Sequence, residues 1–321
     1  MNRKITHITV MTPAYNEESG IEECVQAVKN VFEEELRGIK LTHLIVDNGS
    51  TDRTVEVLRN LVDENPQIKV IVNSKNFGPH KSPYHATLLM EGDAVVPLVA
   101  DLQTPPELIP RMVELWEQGF DVVAAVREEM REGLFTRLTR NIYYKIMRTL
   151  TGANQISHFI GFGLFDKKVI EALKSFDDPE PYFRGLISEV GFKQTTIPYS
   201  QPLRKHGKSR QNIWDKIDYA SLGLTKSSSR PLFILVIFAM GLGAFSIFLA
   251  LVFIIAKLIW WNFFSVGVIP ILILMLFLGA IQLFSLGVIG LYVNVILQQV
   301  RNRPHVIELE RINFSSQIEE N

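Results

Sequence analysis

The sequence predicts an α/β domain with a mainly parallel sheet, followed by a C-terminal pair of membrane-spanning helices. Three observations predict this. Short apolar runs alternate with segments of helical periodicity in the first part of the chain, which is the pattern of a parallel sheet. Positions 232–256 carry no charged residue, and neither do positions 258–300, although Asn262, Gln282 and Asn294 interrupt the second stretch. A membrane helix needs roughly 20 apolar residues, so each stretch is long enough to span. Finally, the apolar run from Val95 stops abruptly at the carboxylate of Asp101. In open α/β sheets that edge is where ligands bind.

Bulk properties narrow the function class. The chain has 321 residues and a formal net charge of -1, so it has no global attraction for nucleic acid. One cysteine, Cys24, excludes an internal disulfide and fits a reducing compartment. The segment from Met1 to Lys4 runs into a short strand-like stretch, too short for the apolar region of a signal peptide, and predicts a cytoplasmic start. Lys257, Trp260, Trp261 and Asn262 supply a turn and an aromatic belt between the two apolar stretches. Lys226 and Arg230 precede the first span, and Arg301 and Arg303 follow the second. By the positive-inside rule both termini and the large domain face the cytoplasm, at a bacterial-type inner or plasma membrane. Ala239, Gly243, Gly279 and Gly287 permit close helix packing and hint at a homo-oligomer. The expected organisation is a domain at 1–210, a juxtamembrane linker at 211–230, two spans at 231–300 and a tail at 301–321.

In chain order, 8–13 reads as a first strand closed by Ala14-Tyr15-Asn16-Glu17-Glu18. Ile21, Val25, Val28 and Phe32 then recur at near-helical spacing. A second strand at 41–46 ends in Asp47-Asn48-Gly49-Ser50-Thr51-Asp52. Val55, Leu58 and Leu61 mark the next helix, and 68–72 the third strand. Asn76-Phe77-Gly78 and a helix around 84–90 lead to the fourth strand at 95–98, and 122–126 is a fifth. Polar clusters thus sit at successive strand ends on one edge of the sheet. Each alone has an ordinary alternative: Asn16 or Ser19 as a helix cap, Asp47 and Ser50 as turn residues. There is no Walker phosphate loop and no G-x-G-x-x-G after the first strand, so phosphate must be handled by metal and side chains. His80, His85, His158 and His206 show no metal-ligand spacing.

Asp101 is followed by Gln103 and then by a Pro105-Pro106-Glu107 helix start. A carboxylate at the end of a buried strand is unfavourable to bury unpaired. Asp101 and Gln103 therefore read as oxygen ligands for a divalent cation, Mg²⁺ or Mn²⁺, that holds a diphosphate. A helix cap or turn is the structural alternative for Asp101.

Thr12-Pro13-Ala14-Tyr15-Asn16-Glu17, Asp47-Asn48-Gly49-Ser50-Thr51-Asp52 and Ala100-Asp101-Leu102-Gln103 with Pro105-Pro106-Glu107 together resemble inverting GT-A glycosyltransferases of family 2. Within that family the pattern is similar to the polyisoprenyl-phosphate glycosyltransferases, the dolichyl-phosphate mannose synthase and GtrB type. The resemblance covers nearly the whole chain. It implies a UDP- or GDP-sugar donor, Mg²⁺ or Mn²⁺, and an undecaprenyl-type polyprenyl phosphate acceptor. It also implies a donor pocket at Pro13, Tyr15, Glu17, Asp47, Asn48 and Asp101, with Asp101 and Gln103 on the metal and Asp101 and Arg127 as catalytic residues. Arg127, after an apolar strand, matches an acceptor-phosphate arginine. The basic segment with Arg204, Lys208 and Ser209 resembles the family's R-x-x-G-x-[ST], or else is a patch for anionic lipid headgroups.

Three positions depart from the pattern, the first being Asp47-Asn48, where the family usually shows two acidic residues or Asn-Asp. The family's Asp-x-Asp is Val99-Ala100-Asp101 here, and a further segment that commonly carries an Asp has Gly161 instead. A phosphate monoester has a second pKa near 6 and is already largely dianionic at neutral pH. A missing general base thus favours a lipid-phosphate acceptor over a hydroxyl. Leu134, Leu138, Ile142, Ile146 and Leu150 form the apolar stripe of a basic amphipathic helix, and a second candidate lies at 213–224. Such helices lie in the membrane interface or pack on the domain itself. The reading is a membrane-anchored glycosyltransferase acting beside the lipid bilayer. Its alternatives are a catalytically weak or silent binding protein that keeps the fold, and transfer to another membrane-associated acceptor.

Overall fold

A computed structural model describes residues 3–128, 156, 159–176, 178–202, 230–259, 268–301 and 303–314. These fall into two compact units: the long helices of 230–259 and 268–301, and all the rest.

The first unit is built on an eight-stranded sheet. Its strands are β1 (His7–Ala14), β2 (Lys40–Asp47), β3 (Ile68–Asn73), β4 (Ala94–Pro97), β5 (Val122–Arg127), β6 (Phe159–Asp166), β7 (Gln194–Tyr199) and β8 (Glu308–Ile312). They lie in the order β7-β5-β6-β4-β1-β2-β3-β8. Helices α1 (Ile21–Glu34), α2 (Thr54–Glu64), α3 (Gly78–Leu88), α4 (Ile109–Glu117), α5 (Lys167–Lys174) and α6 (Phe183–Glu189) connect them.

Both faces of the sheet are covered, which explains why its central strands read as unbroken apolar runs. Successive strand side chains point to opposite faces. Val10 and Val96 accordingly pack with Cys24 and Phe32 of α1 and Met112 and Trp116 of α4. Their neighbours Met11 and Val95 pack on the other side with Tyr84 of α3, Ile170 of α5 and Leu186 of α6.

The expected strands through β5 are present, four of them extended by a residue or two and β4 shifted back by one residue. The sheet is mixed, with four of its seven pairings parallel. Pairings β1/β2, β1/β4, β2/β3 and β5/β7 are parallel, whereas β4/β6, β5/β6 and β3/β8 are antiparallel. β6 runs backwards between β4 and β5, so β5 and β7 still point the same way as β1 to β4. The tail, in which the sequence showed no motif, forms β8 on the edge of the sheet. There Asn313 Nδ2 donates to the carbonyls of Pro66 (3.0 Å) and Ile68 (2.7 Å). Helix α1 starts after Gly20 with no side-chain cap, so neither Asn16 nor Ser19 caps it. Helix α3 begins at Gly78 and runs through Pro83, well before the expected start at 84.

In the second unit, α7 (Arg230–Ile259) and α8 (Val268–Arg301) run for 30 and 34 residues. At 1.5 Å per residue each is roughly 45–50 Å long. Within α8, Phe277–Arg301 is long and apolar enough to cross a membrane, and α7 holds the shorter apolar stretch Leu232–Phe245. Large apolar side chains point outward, among them Met240, Leu283 and Phe284, each about 70% exposed. A Cβ placed on Gly243, Gly279 or Gly287 would meet no described atom within 4 Å. Among the described residues, the packing of α7 with α8 therefore does not use these glycines.

Candidate active site

The sheet order reverses between β1 and β4: the chain winds from β1 outward through β2 and β3, then returns to place β4 on β1's other side. Such a switch point leaves a crevice outside the carboxyl ends of the strands. The β1–α1 loop with Tyr15 and Glu17, and the β4–α4 loop with Asp101 and Gln103, flank it. Both pairs are partly exposed. The two loops approach closely enough that the charges of Asp101 and Glu17 both raise the pKa of the buried Cys24 thiol beneath them. Burial is the larger cause, and together they push that thiol up to about 12. Cys24 is therefore a neutral apolar filler at any working pH.

The β4–α4 loop is tightly made. Leu98 N–H donates to Met11 O (2.8 Å), tying the loop to β1. The buried Thr104 accepts from Val99 N–H at its Oγ1 (2.9 Å). Asp101 Oδ1 accepts from Gln103 N–H (3.1 Å). Between them Leu102 sits at φ 55°, a left-handed conformation that branched apolar residues rarely adopt. Strain of this kind persists where the surroundings over-determine it and clusters at functional sites. Val99 stands where the family pattern has a carboxylate, and its backbone N–H, not its side chain, serves the loop. Asp101 and Gln103 thus present one carboxylate and one amide on a single short turn.

The β2–α2 loop is organised by Asp47, which is fully buried. Its Oδ2 accepts from Gly49 N–H (3.1 Å) and Ser50 N–H (3.0 Å), and its Oδ1 from Ser50 Oγ. Burial raises its pKa, and the bonds from Ser50 and Gly49 hold part of that rise back. Ser50 Oγ in turn accepts from Asn16 N–H (2.8 Å), and Asn16 Oδ1 accepts from Thr51 N–H (2.7 Å). The loops after β1 and β2 are therefore laced into one platform. Gly49 is required in it: at φ 73° an added Cβ would lie 2.5 Å from the backbone of Lys75.

Asn48, almost fully buried, joins this platform to the loop after β3. Its Nδ2 donates to Asn76 Oδ1 (3.1 Å) and Gly78 O (3.0 Å), while its Oδ1 accepts from Phe77 N–H (3.0 Å) and Asn73 Nδ2 (3.3 Å). An aspartate here could not make the first two bonds, which explains the amide in this chain. Asp47 and Asn48 shape this loop platform, and their polar atoms are occupied in doing so.

Arg127 ends β5 on the same edge, with its side chain exposed. Gly161, in the part of β6 nearest that edge, sits at φ 106°. Among the described residues a Cβ there would meet only Phe183, at 3.8 Å, but any side chain would strain the backbone. Pro13 lies within β1, paired with Val46. Arg204, Lys208 and Ser209, both amphipathic helices, His158 and His206 lie outside the described residues. Thr104 and Tyr199 were missed by sequence reasoning. A threonine directly before Pro105-Pro106 was the readable signal for the first.

With this geometry in place, comparison with known proteins is decisive. Glycosyl transferase family 2 matches residues 9–173. The glycosyltransferase YkcC of Bacillus subtilis (strain 168) is 33% identical over 95% of this chain and 93% of its own. The chain belongs to glycosyltransferase family 2. Another relative of this glycosyltransferase is the SfII prophage-derived bactoprenol glucosyl transferase of Shigella flexneri, 29% identical over 94% of this chain and 96% of its own. Among solved structures, glucosyl-3-phosphoglycerate synthase from Mycobacterium tuberculosis in complex with Mn²⁺, UDP and phosphoglyceric acid aligns with a TM-score of 0.49 at 18% identity. That alignment covers 69% of this chain and 76% of the other.

Among its described residues no three His, Cys, Asp or Glu side chains form a metal cage. The donor set that is present suits a hard cation all the same. Mg²⁺ is commonly held by one or two carboxylates together with substrate phosphates, and Asp101 with Gln103 supplies oxygen donors of that kind.

Proposed function

We propose that this glycosyltransferase moves a sugar from a UDP- or GDP-sugar to a polyprenyl phosphate, with inversion, at the cytoplasmic face of a membrane. One observation carries the reading. The carboxylate turn of Asp101 and the Tyr15–Glu17 loop flank the switch point, and the exposed Arg127 stands on the same sheet edge.

The β1 and β2 loops, laced through Asn16, Ser50 and Thr51, form the donor floor, with Tyr15 and Glu17 toward the nucleotide. Asp101 and Gln103 would hold Mg²⁺ or Mn²⁺. When bound, the cation offsets the negative charge developing on the departing diphosphate. Arg127 grips the acceptor phosphate through its bidentate fork and holds it facing the anomeric carbon. A phosphate already dianionic needs no side chain to remove a proton from it. Gly161, where a carboxylate would strain the backbone, is consistent with that economy. Arg204, Lys208 and Ser209 are assigned to the same phosphate from their motif.

The name of the Shigella flexneri relative supports the acceptor. The outward apolar side chains of α7 and α8 support two spans, with both termini and the catalytic unit on the cytoplasmic side. Purified full-length protein in lipid vesicles, given undecaprenyl phosphate, Mg²⁺ and a panel of UDP- and GDP-sugars, tests the reading. A labelled glycolipid formed from one donor and abolished by EDTA is the expected result. Transfer to a different acceptor overturns the lipid-phosphate assignment. Donor binding without turnover identifies a silent binding protein instead.

A further inference from the structure

Tyr199 is the last residue of β7 and pairs in register with Arg127, the last residue of β5. Its carbonyl accepts from Glu128 N–H (2.9 Å), which locks the two strand ends together. Its ring is buried and packs edge-on against Phe162, with centroids 5.6 Å apart and planes at 78°. Only 4% of the residue is exposed, and the buried hydroxyl makes no hydrogen bond of good geometry among the described residues. A buried hydroxyl left in that state costs about 1–3 kcal/mol. The cation beside it is the Arg127 guanidinium, which opposes the rise that burial imposes on the phenol's pKa.

We propose that Tyr199 is a positioning residue for Arg127. Its hydroxyl oxygen accepts from the guanidinium and fixes the plane in which the remaining N–H groups face an acceptor phosphate. Three facts combine to this. The hydroxyl is out of solvent, so it acts through a neighbour. The ring is held by Phe162, so the oxygen is a fixed point, whereas an arginine alone on an exposed strand end has many rotamers. A guanidinium has five donors, so one given to Tyr199 leaves a bidentate pair for the phosphate. The Phe162 that holds Tyr199 also directly follows Gly161, which links this support to the position lacking the family's carboxylate. The inference rests on the reading of Arg127 as an acceptor-phosphate residue.

The test is steady-state transfer by the full-length enzyme in vesicles, with Tyr199→Phe, Arg127→Ala and the double variant. Tyr199→Phe keeps the ring, so the melting temperature should hold. The acceptor KM should rise roughly tenfold, the size expected for losing a hydrogen bond to a charged group. The donor KM should not change. In the Arg127→Ala background the same substitution should add less than about twofold, because its effect runs through the arginine. An equal effect in both backgrounds, or a loss of stability with both KM values rising, overturns the inference. If Arg127→Ala raises the acceptor KM while Tyr199→Phe does nothing, only the inference falls. If Arg127→Ala leaves the acceptor KM unchanged, the acceptor reading falls first and the inference falls with it.

Discussion

The two edges of the sheet use charge in opposite ways. At the amino edge, Arg3 donates to Trp116 O (2.6 Å), Asp121 Oδ1 (2.7 Å), Asp166 Oδ2 (3.0 Å) and the carbonyl of Phe120. Its guanidinium stacks 4.1 Å above the Trp116 ring. Trp116 Nε1 donates to Asp166 (2.8 Å), and Lys168 pairs with Asp121 (2.7 Å). Anions and cations cancel, and the cluster joins the first residues of the chain to β5, β6 and α4. At the carboxyl edge the buried Asp47 is served by Gly49 and Ser50, and Asp52 by the N–H and hydroxyl of Thr54. Neutral donors shape the loops without cancelling the carboxylates' charge. The first edge closes the fold, and the second keeps its negative charge, as the proposed cation site requires.

The comparison predicts that stability and activity separate. Arg3→Ala should produce the largest loss of stability. It leaves two mostly buried carboxylates short of a partner, an effect of about 3–4 kcal/mol. The melting temperature should drop by roughly 6–12 °C, while transfer measured well below the transition stays within about twofold of wild type. The Asp121 contribution also has a sign in pH. Burial would raise its pKa, but hydrogen bonds from Lys168 and Arg3 outweigh this and hold it below the usual carboxylate range. Its stabilisation is therefore present above the ordinary carboxylate pKa and lost as pH falls through the lowered value. The gap between wild type and Arg3→Ala should narrow in strong acid. A constant gap would show that Arg3 acts through packing alone.

A second effect comes from His43, fully buried in β2 with its Nε2 2.9 Å from Thr12 Oγ1. Burial lowers its pKa from 6.5 to about 4. The unfolded chain binds this proton between those values and the folded chain does not, so stability falls as pH drops from 6.5 toward 4. The loss should be roughly 2–3 kcal/mol. Denaturant unfolding of His43→Gln across this range should show a flatter pH dependence than wild type; an unchanged slope would assign it to other groups.

The smallest effect tests the platform. Asn48→Asp should lose the bonds to Asn76 and Gly78 and place a like charge beside Asp47. About 1–2 kcal/mol of stability should be lost, with a severalfold rise in donor KM and little change in acceptor KM. Equal changes in both would mean that the β3–α3 loop does not shape the donor pocket.

Much of this architecture was legible because it is local. The apolar runs of β1 to β5, the polar clusters that end them and the Asp101 turn are each written within a dozen residues. What was not legible depends on distant parts. The tail strand Glu308–Ile312 alternates charged and apolar residues like any exposed segment. It becomes a strand because β3 offers an edge 240 positions earlier, where Arg59 meets Glu310 and His85 meets Glu308 (2.7 Å). The antiparallel β6 escaped because its glycines look like a loop. Gly163 is in fact demanded by close approach, since a Cβ there would lie 2.4 Å from Val123 O. Asp47 and Asn48 were legible as a polar cluster at a strand end but not as residues whose polar atoms are spent on holding loops. Only the three-dimensional partners of Asn48 reveal that.

Everything in the functional account turns on the carboxylate at the switch point. Asp101→Asn preserves the size of the side chain and its ability to accept from Gln103 N–H, so the loop and the melting temperature should be retained. Formation of labelled polyprenyl-phosphate sugar by this variant, in the same vesicles and at saturating Mg²⁺, should fall by at least about 10³-fold. A variant that folds and still transfers sugar within about threefold of wild type would contradict the account.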